Sequence, residues 1–235
     1  MASQHTEESA LVPSQRMRVA YLLTLVGGYL DAYTYFERGG VFANAQTGNI
    51  VKLGIAWAEG ASDRYLSYLL PICAFAAGLM CALALKEYLT RRKLRLIRRS
   101  VLVAEMVGLA IVGLVPLGDQ YDKLANCIVS FVAAMQYETF TTFRGEVIVT
   151  TMSTGNLRKF VDALFLGFLH QDMERILRAL LYLTIIVTFT MGAFLGTRVC
   201  GVLDRAAVWP AVVLLGIAAA IITILRKRNL SAERS

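Results

Sequence analysis

Apolar positions run along this chain in blocks of membrane-spanning length, each closed by a short cluster of charged residues or glycines. About 20 apolar residues, at about 1.5 Å of helical rise each, cross a hydrocarbon core of about 30 Å. By that measure six full spans are predicted, at residues 17–36, 65–89, 101–117, 124–143, 176–199 and 208–225. Two further apolar blocks, 41–58 and 147–169, are interrupted by polar side chains. The first carries Asn44, Gln46, Thr47, Gly48, Asn49 and Lys52; the second carries Thr150, Thr151, Ser153, Thr154, Gly155, Asn156, Lys159 and Asp162. Polarity in mid-block is expected of short re-entrant or discontinuous segments, because irregular backbone at membrane depth must be sheltered by protein.

The second interrupted block is a degenerate copy of the first. Shifted by 107 positions, Thr47-Gly48-Asn49 falls on Thr154-Gly155-Asn156, Lys52 on Lys159, Phe36 on Phe143 and the acid Asp31 on the acid Glu138. A repeat at this spacing is a duplicated architecture and not a solenoid. Topology is set chiefly by Lys and Arg in short flanking loops. Six spans with both termini cytoplasmic put Arg16 and Arg18, the basic run 91–99 and Arg226–Arg228 on one side. The weakly charged links near Asp63, Asp119 and Asp204 then face the other side. Three spans per half is an odd number, so the halves enter from opposite sides.

The expected fold is an all-α polytopic membrane protein, with six transmembrane helices plus two short re-entrant or discontinuous segments built as two inverted repeats (3+3). Its predicted units are a disordered cytoplasmic tail (1–16), repeat 1 (17–117), repeat 2 (118–225) and a second cytoplasmic tail (226–235).

Composition agrees. Hydrophobic residues make up 57% of the chain against 17% charged, with a mean hydropathy of +0.56, which leaves little for a soluble domain. The net charge of +7 sits in short flanks between apolar blocks, so no nucleic-acid partner is expected. Cys73, Cys81, Cys127 and Cys200 show no paired spacing and read as small core hydrophobes. His5 and His170 make no metal set, and no cofactor motif is found.

Asp31 shares a helix face with Thr24, Gly27, Gly28 and Thr34, a polar and small-residue stripe. An ionisable residue there is a site candidate by default. The structural alternative is an ion pair with Lys52, Arg38 or Lys159. Thr-Gly-Asn suits a helix break: Thr can cap amides, Gly accepts unusual backbone angles, and Asn carries donors and an acceptor. Broken helices at equivalent positions of inverted repeats point to a transport site, and paired helix N-termini there favour an anionic or carboxylate-bearing solute.

The residues assigned to that site are Asn44, Gln46, Thr47, Gly48, Asn49, Ser153, Thr154, Gly155 and Asn156. Asp31, Glu138, Lys52 and Lys159 are the candidate coupling or charged groups. Glu105, close to the basic end of its span, is expected to snorkel toward Arg98 or Arg99. Gly78 and Gly192, in Phe75-Ala-Ala-Gly78 and Phe189-Thr-Met-Gly192, are expected at helix-packing contacts.

The stretch GGYLDAYTYF, followed by GGVFANAQTGNIVKLG and answered by the second Thr-Gly-Asn, resembles the YoaK-like family of bacterial inner-membrane proteins. The likeness runs from about residue 17 to 225. It implies a six-helix protein of the inner (cytoplasmic) membrane and supplies no substrate. Tyr137-Glu138 and residues 150–153 depart from the family pattern, so Glu138 is particular to this branch. The function expected is a small-solute secondary transporter, coupled to protons through Asp31, with the bilayer and an unidentified small solute as partners and a homodimer compatible with it. A channel of the same architecture and a non-transporting structural membrane protein are the alternatives. An intramembrane enzyme is the weakest, since no Ser/His or Cys/His pair and no nucleotide loop are found.

Overall fold

A computed structural model describes residues 13–92, 96–143 and 146–232. Lys93 and Arg95 of the basic run, Arg144, the predicted tail up to residue 12 and the last three residues lie outside them. The fold is helical. The helices are α1 (Pro13–Glu37), α2 (Gln46–Ala58), α3 (Ser62–Arg91), α4 (Ile97–Leu114), α5 (Asp119–Thr139), α6 (Thr154–Leu169), α7 (Met173–Leu203) and α8 (Trp209–Ala232), with a 3-10 turn at Asp204–Val208. Each predicted full span has a helix, and each interrupted block becomes an irregular loop followed by a shorter helix, α2 or α6. One element was not expected, a two-residue antiparallel ladder joining Thr142–Phe143 to Glu146–Val147. It ends α5 at Thr139, short of the predicted Phe143, in a local run rich in β-branched and aromatic residues that suits extended backbone.

The helices recur in order in the two halves, their starts displaced by 106, 108, 111 and 112 residues. α1, α2, α3 and α4 correspond in order to α5, α6, α7 and α8. Packing recurs as well: α1 lies along α7 as α5 lies along α3, α2 lies on α3 as α6 lies on α7, and α4 meets α8. At the long crossings backbones touch. A Cβ placed on Gly28 would come 2.0 Å from the Phe189 carbonyl oxygen, one on Gly192 2.1 Å from that of Leu25, and one on Gly78 2.2 Å from that of Phe131. Gly78 and Gly192 are thus packing contacts, where a small residue lets two helices close on each other.

Large apolar side chains face outward over most helices, among them Ile50, Trp57, Met80, Val107, Phe165, Val187, Phe194 and Val213. The interior holds Leu23, Leu30, Leu102, Leu109, Ile185 and Leu215 together with many polar groups, including Thr24, Asp31, Arg38, Asn44, Glu105, Ser130 and Gln136. Soluble monomers rarely expose apolar surface on this scale. Two helical stretches, Arg64–Arg91 and Met173–Ile224, are long and apolar enough to cross a membrane.

Candidate functional site

After α1 the chain turns through Gly39 and Gly40, whose φ angles of +77° and +73° suit glycine. It then doubles back along the helix that it has just left. The Asn44 backbone N–H donates to Asp31 Oδ1 at 2.8 Å, and Asn44 Nδ2 donates to the Gly27 carbonyl at 2.9 Å. Ten residues of helix separate Gly27 from Glu37, so the loop tip reaches about 15 Å below the end of α1. From there α2 returns, bringing Lys52 back beside Tyr35 and onto the Gly40 carbonyl.

The second loop does the same after α5. Its Thr150 hydroxyl lies 3.2 Å from the Gln136 amide of α5, and Lys159 of α6 donates back to the Val147 carbonyl. Both tips meet α1 at Gly27. A Cβ on Gly27 would lie 2.5 Å from the Thr150 carbonyl oxygen and 3.1 Å from Thr151 Cα.

The asparagines of the triplets hold these loops. Asn49 accepts from the Phe42 N–H at 3.1 Å and donates to the Phe42 carbonyl at 2.6 Å. Asn156 accepts from Val149 N–H at 3.2 Å and donates to its carbonyl at 2.7 Å. Each bridges its own backbone seven residues upstream and is buried. The threonines take no such part: Thr47 and Thr154 are exposed, and neither α2 nor α6 has a side-chain cap. Gly48 is half-buried against Phe42 and Gly155 is exposed near Val149. Gln46 donates to the Ala43 carbonyl at 2.8 Å and lies 3.5 Å from Ser130 Oγ of α5.

The candidate charges are placed differently from one another. Asp31 is buried and engaged with Asn44, so none of Lys52, Arg38 or Lys159 is its partner. Lys52 faces the rings of Tyr35, Phe42 and Tyr68 at 4.6, 4.7 and 5.9 Å, and Lys159 faces Tyr182 at 5.5 Å. Glu138 pairs with Lys86 at 3.3 Å on the partly exposed α3–α5 seam. Glu105 does not snorkel. It is 1% exposed, with Gln136 against it.

The sequence reading missed the Arg38 clamp. Fully buried, Arg38 donates to Tyr33 Oη, Asp122 Oδ1 and the carbonyls of Val112, Val115 and Pro116. All five guanidinium N–H groups are satisfied, and three of them close the carbonyl end of α4, where the helix dipole favours a cation. Beside the clamp lies a cavity of about 310 Å³ bordered by Arg64, Tyr68, Asp119, Lys123 and Asn126. The only forewarning in the sequence was Arg38 standing directly before Gly39-Gly40.

Five buried side-chain atoms have no hydrogen-bond partner among the described residues: Thr24 Oγ1, Asn44 Oδ1, Asn126 Oδ1, Thr151 Oγ1 and Ser153 Oγ. Such atoms cost free energy unless something fills their need. Four of the five belong to segments that meet at Gly27. Thr24 lies one turn below it on α1, Asn44 donates to it, and Thr151 abuts it with Ser153 two residues on.

The family model for proteins of unknown function (DUF1275) matches residues 19–221, from α1 into α8, and the chain belongs to that family. No curated protein and no solved structure matches it.

Proposed function

We propose that this member of the DUF1275 family is an integral protein of the bacterial inner membrane that carries a small solute, with its site between the two loop tips at Gly27. It agrees with the YoaK-like resemblance over nearly the same residues. On this reading α1, α3, α4, α5, α7 and α8 are the six spans, the loops with α2 and α6 are re-entrant hairpins, and the two halves are inverted repeats. The recurrence of helix order and packing pairs, and of the asparagine bridges 107 residues apart, supports the duplication. The apolar exterior supports a lipid surround.

One observation carries the transport reading. Two loops, one from each half, converge on one glycine at mid-helix and leave unpaired polar atoms buried there. That is where a solute or ion pathway of this repeat type would run. α2 and α6 start next to these tips without side-chain caps, so their positive ends favour an anionic or carboxylate-bearing solute. Lys52 and Lys159 hold loop carbonyls and aromatic faces, and the attraction falls to the helix ends.

The test is uptake of a panel of small carboxylates into proteoliposomes under an imposed pH gradient. Saturable uptake that follows the gradient is expected, whereas linear, non-saturating flux would indicate a channel. Asp31→Asn keeps an oxygen for the Asn44 N–H while removing titration. It should still exchange solute and lose gradient-driven accumulation; accumulation equal to the parent would make Asp31 purely a loop anchor.

A further inference from the structure

Glu105 occupies the middle of α4, buried, and no cation touches it among the described residues. Gln136 of α5 lies against it. One atom of the Gln136 amide head lies 3.0 and 2.9 Å from the two Glu105 carboxyl oxygens, and the other lies 3.2 Å from Thr150 Oγ1 at the second loop tip. A carboxyl group, an amide and a hydroxyl thus form an unbroken line from α4 through α5 to the loop.

This line has two complete hydrogen-bonding arrangements. With Glu105 protonated, its O–H donates to Gln136 Oε1, Gln136 Nε2 donates to Thr150 Oγ1, and the Thr150 hydroxyl proton is free for the loop. With Glu105 ionised, the amide turns over: Nε2 donates to the carboxylate, and Oε1 accepts the Thr150 hydroxyl proton. Binding or release of one proton at Glu105 therefore reverses the hydrogen-bond polarity at Thr150, four residues before the triplet. Neither arrangement leaves a member of the line unpaired.

We infer that Glu105 is a proton-binding site that acts on the second loop through Gln136 and Thr150, as Asp31 acts on the first loop directly through Asn44. Each loop tip is then held by a buried acid, and the functional counterpart of Asp31 is Glu105 and not its repeat-mate Glu138. The other ionisable groups on the elements packed against α4 lie elsewhere; the 3-10 turn carries Asp204 and Arg205, both exposed. α8 brings none between Trp209 and Ile224. On α5, Glu138 is paired with Lys86, and Asp122 with Arg38, while Asp119 and Lys123 border the cavity at the other end. On α3, Glu87 and Arg91 pair with each other. On α1, Asp31 is engaged with the first loop. Arg98 and Arg99 of α4 lie about two turns from Glu105.

This inference deepens the transport reading but is tested without any solute, so the two can fail separately. In the full chain on a cysteine-free background, in proteoliposomes, Ser153→Cys reports the second loop by its rate of maleimide labelling across a pH series. Dividing by the rate at Gly201→Cys, where the glycine stands in open space, removes the intrinsic pH dependence of the thiol.

The normalised rate should change by roughly 2- to 10-fold, the factor that one net hydrogen bond is worth. Glu105→Gln, whose amide donates as the neutral acid does, should make the profile flat at the acid-side value. Thr150→Val should also flatten it while leaving the carboxylic-acid infrared band of Glu105 titrating. A Glu105→Gln variant that keeps the parent's profile overturns the proposal. So does a flat profile in the parent, or an infrared difference spectrum in which no band lost in Glu105→Gln titrates. If Glu105→Gln fails to fold, Thr150→Val decides: a profile like the parent's excludes the relay.

Discussion

Replacing Asn49 by Leu tests whether the triplet asparagines hold the loops. Leu keeps the branching and the number of side-chain heavy atoms and removes both bonds to Phe42, at 3.1 and 2.6 Å, and the one from Asn49 Nδ2 to Gln46 Oε1 at 2.9 Å. A backbone N–H and C=O lose their partners within the fold, at about 1–3 kcal/mol for each buried group left unpaired. Phe42 is half-buried, which puts both losses in the lower part of that range, so a destabilisation of about 2–4 kcal/mol is expected. Asn156→Leu, which strips Val149 of the same pair, should cost a similar amount. Thr47→Ala and Thr154→Ala touch exposed side chains and should stay within about 0.5 kcal/mol. Equilibrium unfolding in mixed micelles of mild detergent and dodecyl sulfate reads all four. Asn49→Leu within about 0.5 kcal/mol of the parent, or threonine variants as damaging as the asparagine ones, would refute the loop-locking argument.

Two other outcomes follow from the charged groups. Arg38→Met should destabilise by about 3–5 kcal/mol in the same assay, because it leaves Asp122 buried without its cation, and Arg38→Lys should not rescue, since one ammonium cannot reach the five acceptors of the fork. Asp172 caps α7, accepting from the Arg175 and Glu174 N–H groups and the Arg175 side chain, and these bonds, the Arg175 N–H first, hold its carboxyl below the usual range. Its contribution is therefore present above the ordinary carboxylate value and lost as pH falls through the lowered one, so the protection of the Arg175 amide, taken against its intrinsic exchange rate at each pH, should fall in acid in the parent and lose that step in Asp172→Asn.

The long helices were legible because each carries a long apolar block in the sequence. The repeat was legible because Asn49 and Asn156, and Lys52 and Lys159, bridge their loops at equal distances along the chain, so the geometry left equal spacings in the sequence. What those residues do was not legible. The triplets were read as site lining, but whether an Asn side chain turns to solute or to its own backbone depends on loop coordinates, and both turn to backbone. Asp31 and Glu138 correspond in sequence but not in environment, because Glu138 found Lys86 across a seam that only the packing of α3 on α5 creates. Glu105 looked like a snorkelling residue because Arg98 and Arg99 are near in sequence. Its burial is decided by Gln136, which lies across the interface.

The central claim is that two loops enter the protein from opposite sides and meet at Gly27. Gln46→Cys and Ser153→Cys, each alone on a cysteine-free background, can be labelled with a membrane-impermeant maleimide applied to one face at a time. Gln46→Cys should react from the face bearing the Asp119 link, and Ser153→Cys from the face bearing the basic run 91–99. Reaction of both from the same face would contradict the inverted arrangement and the site built on it.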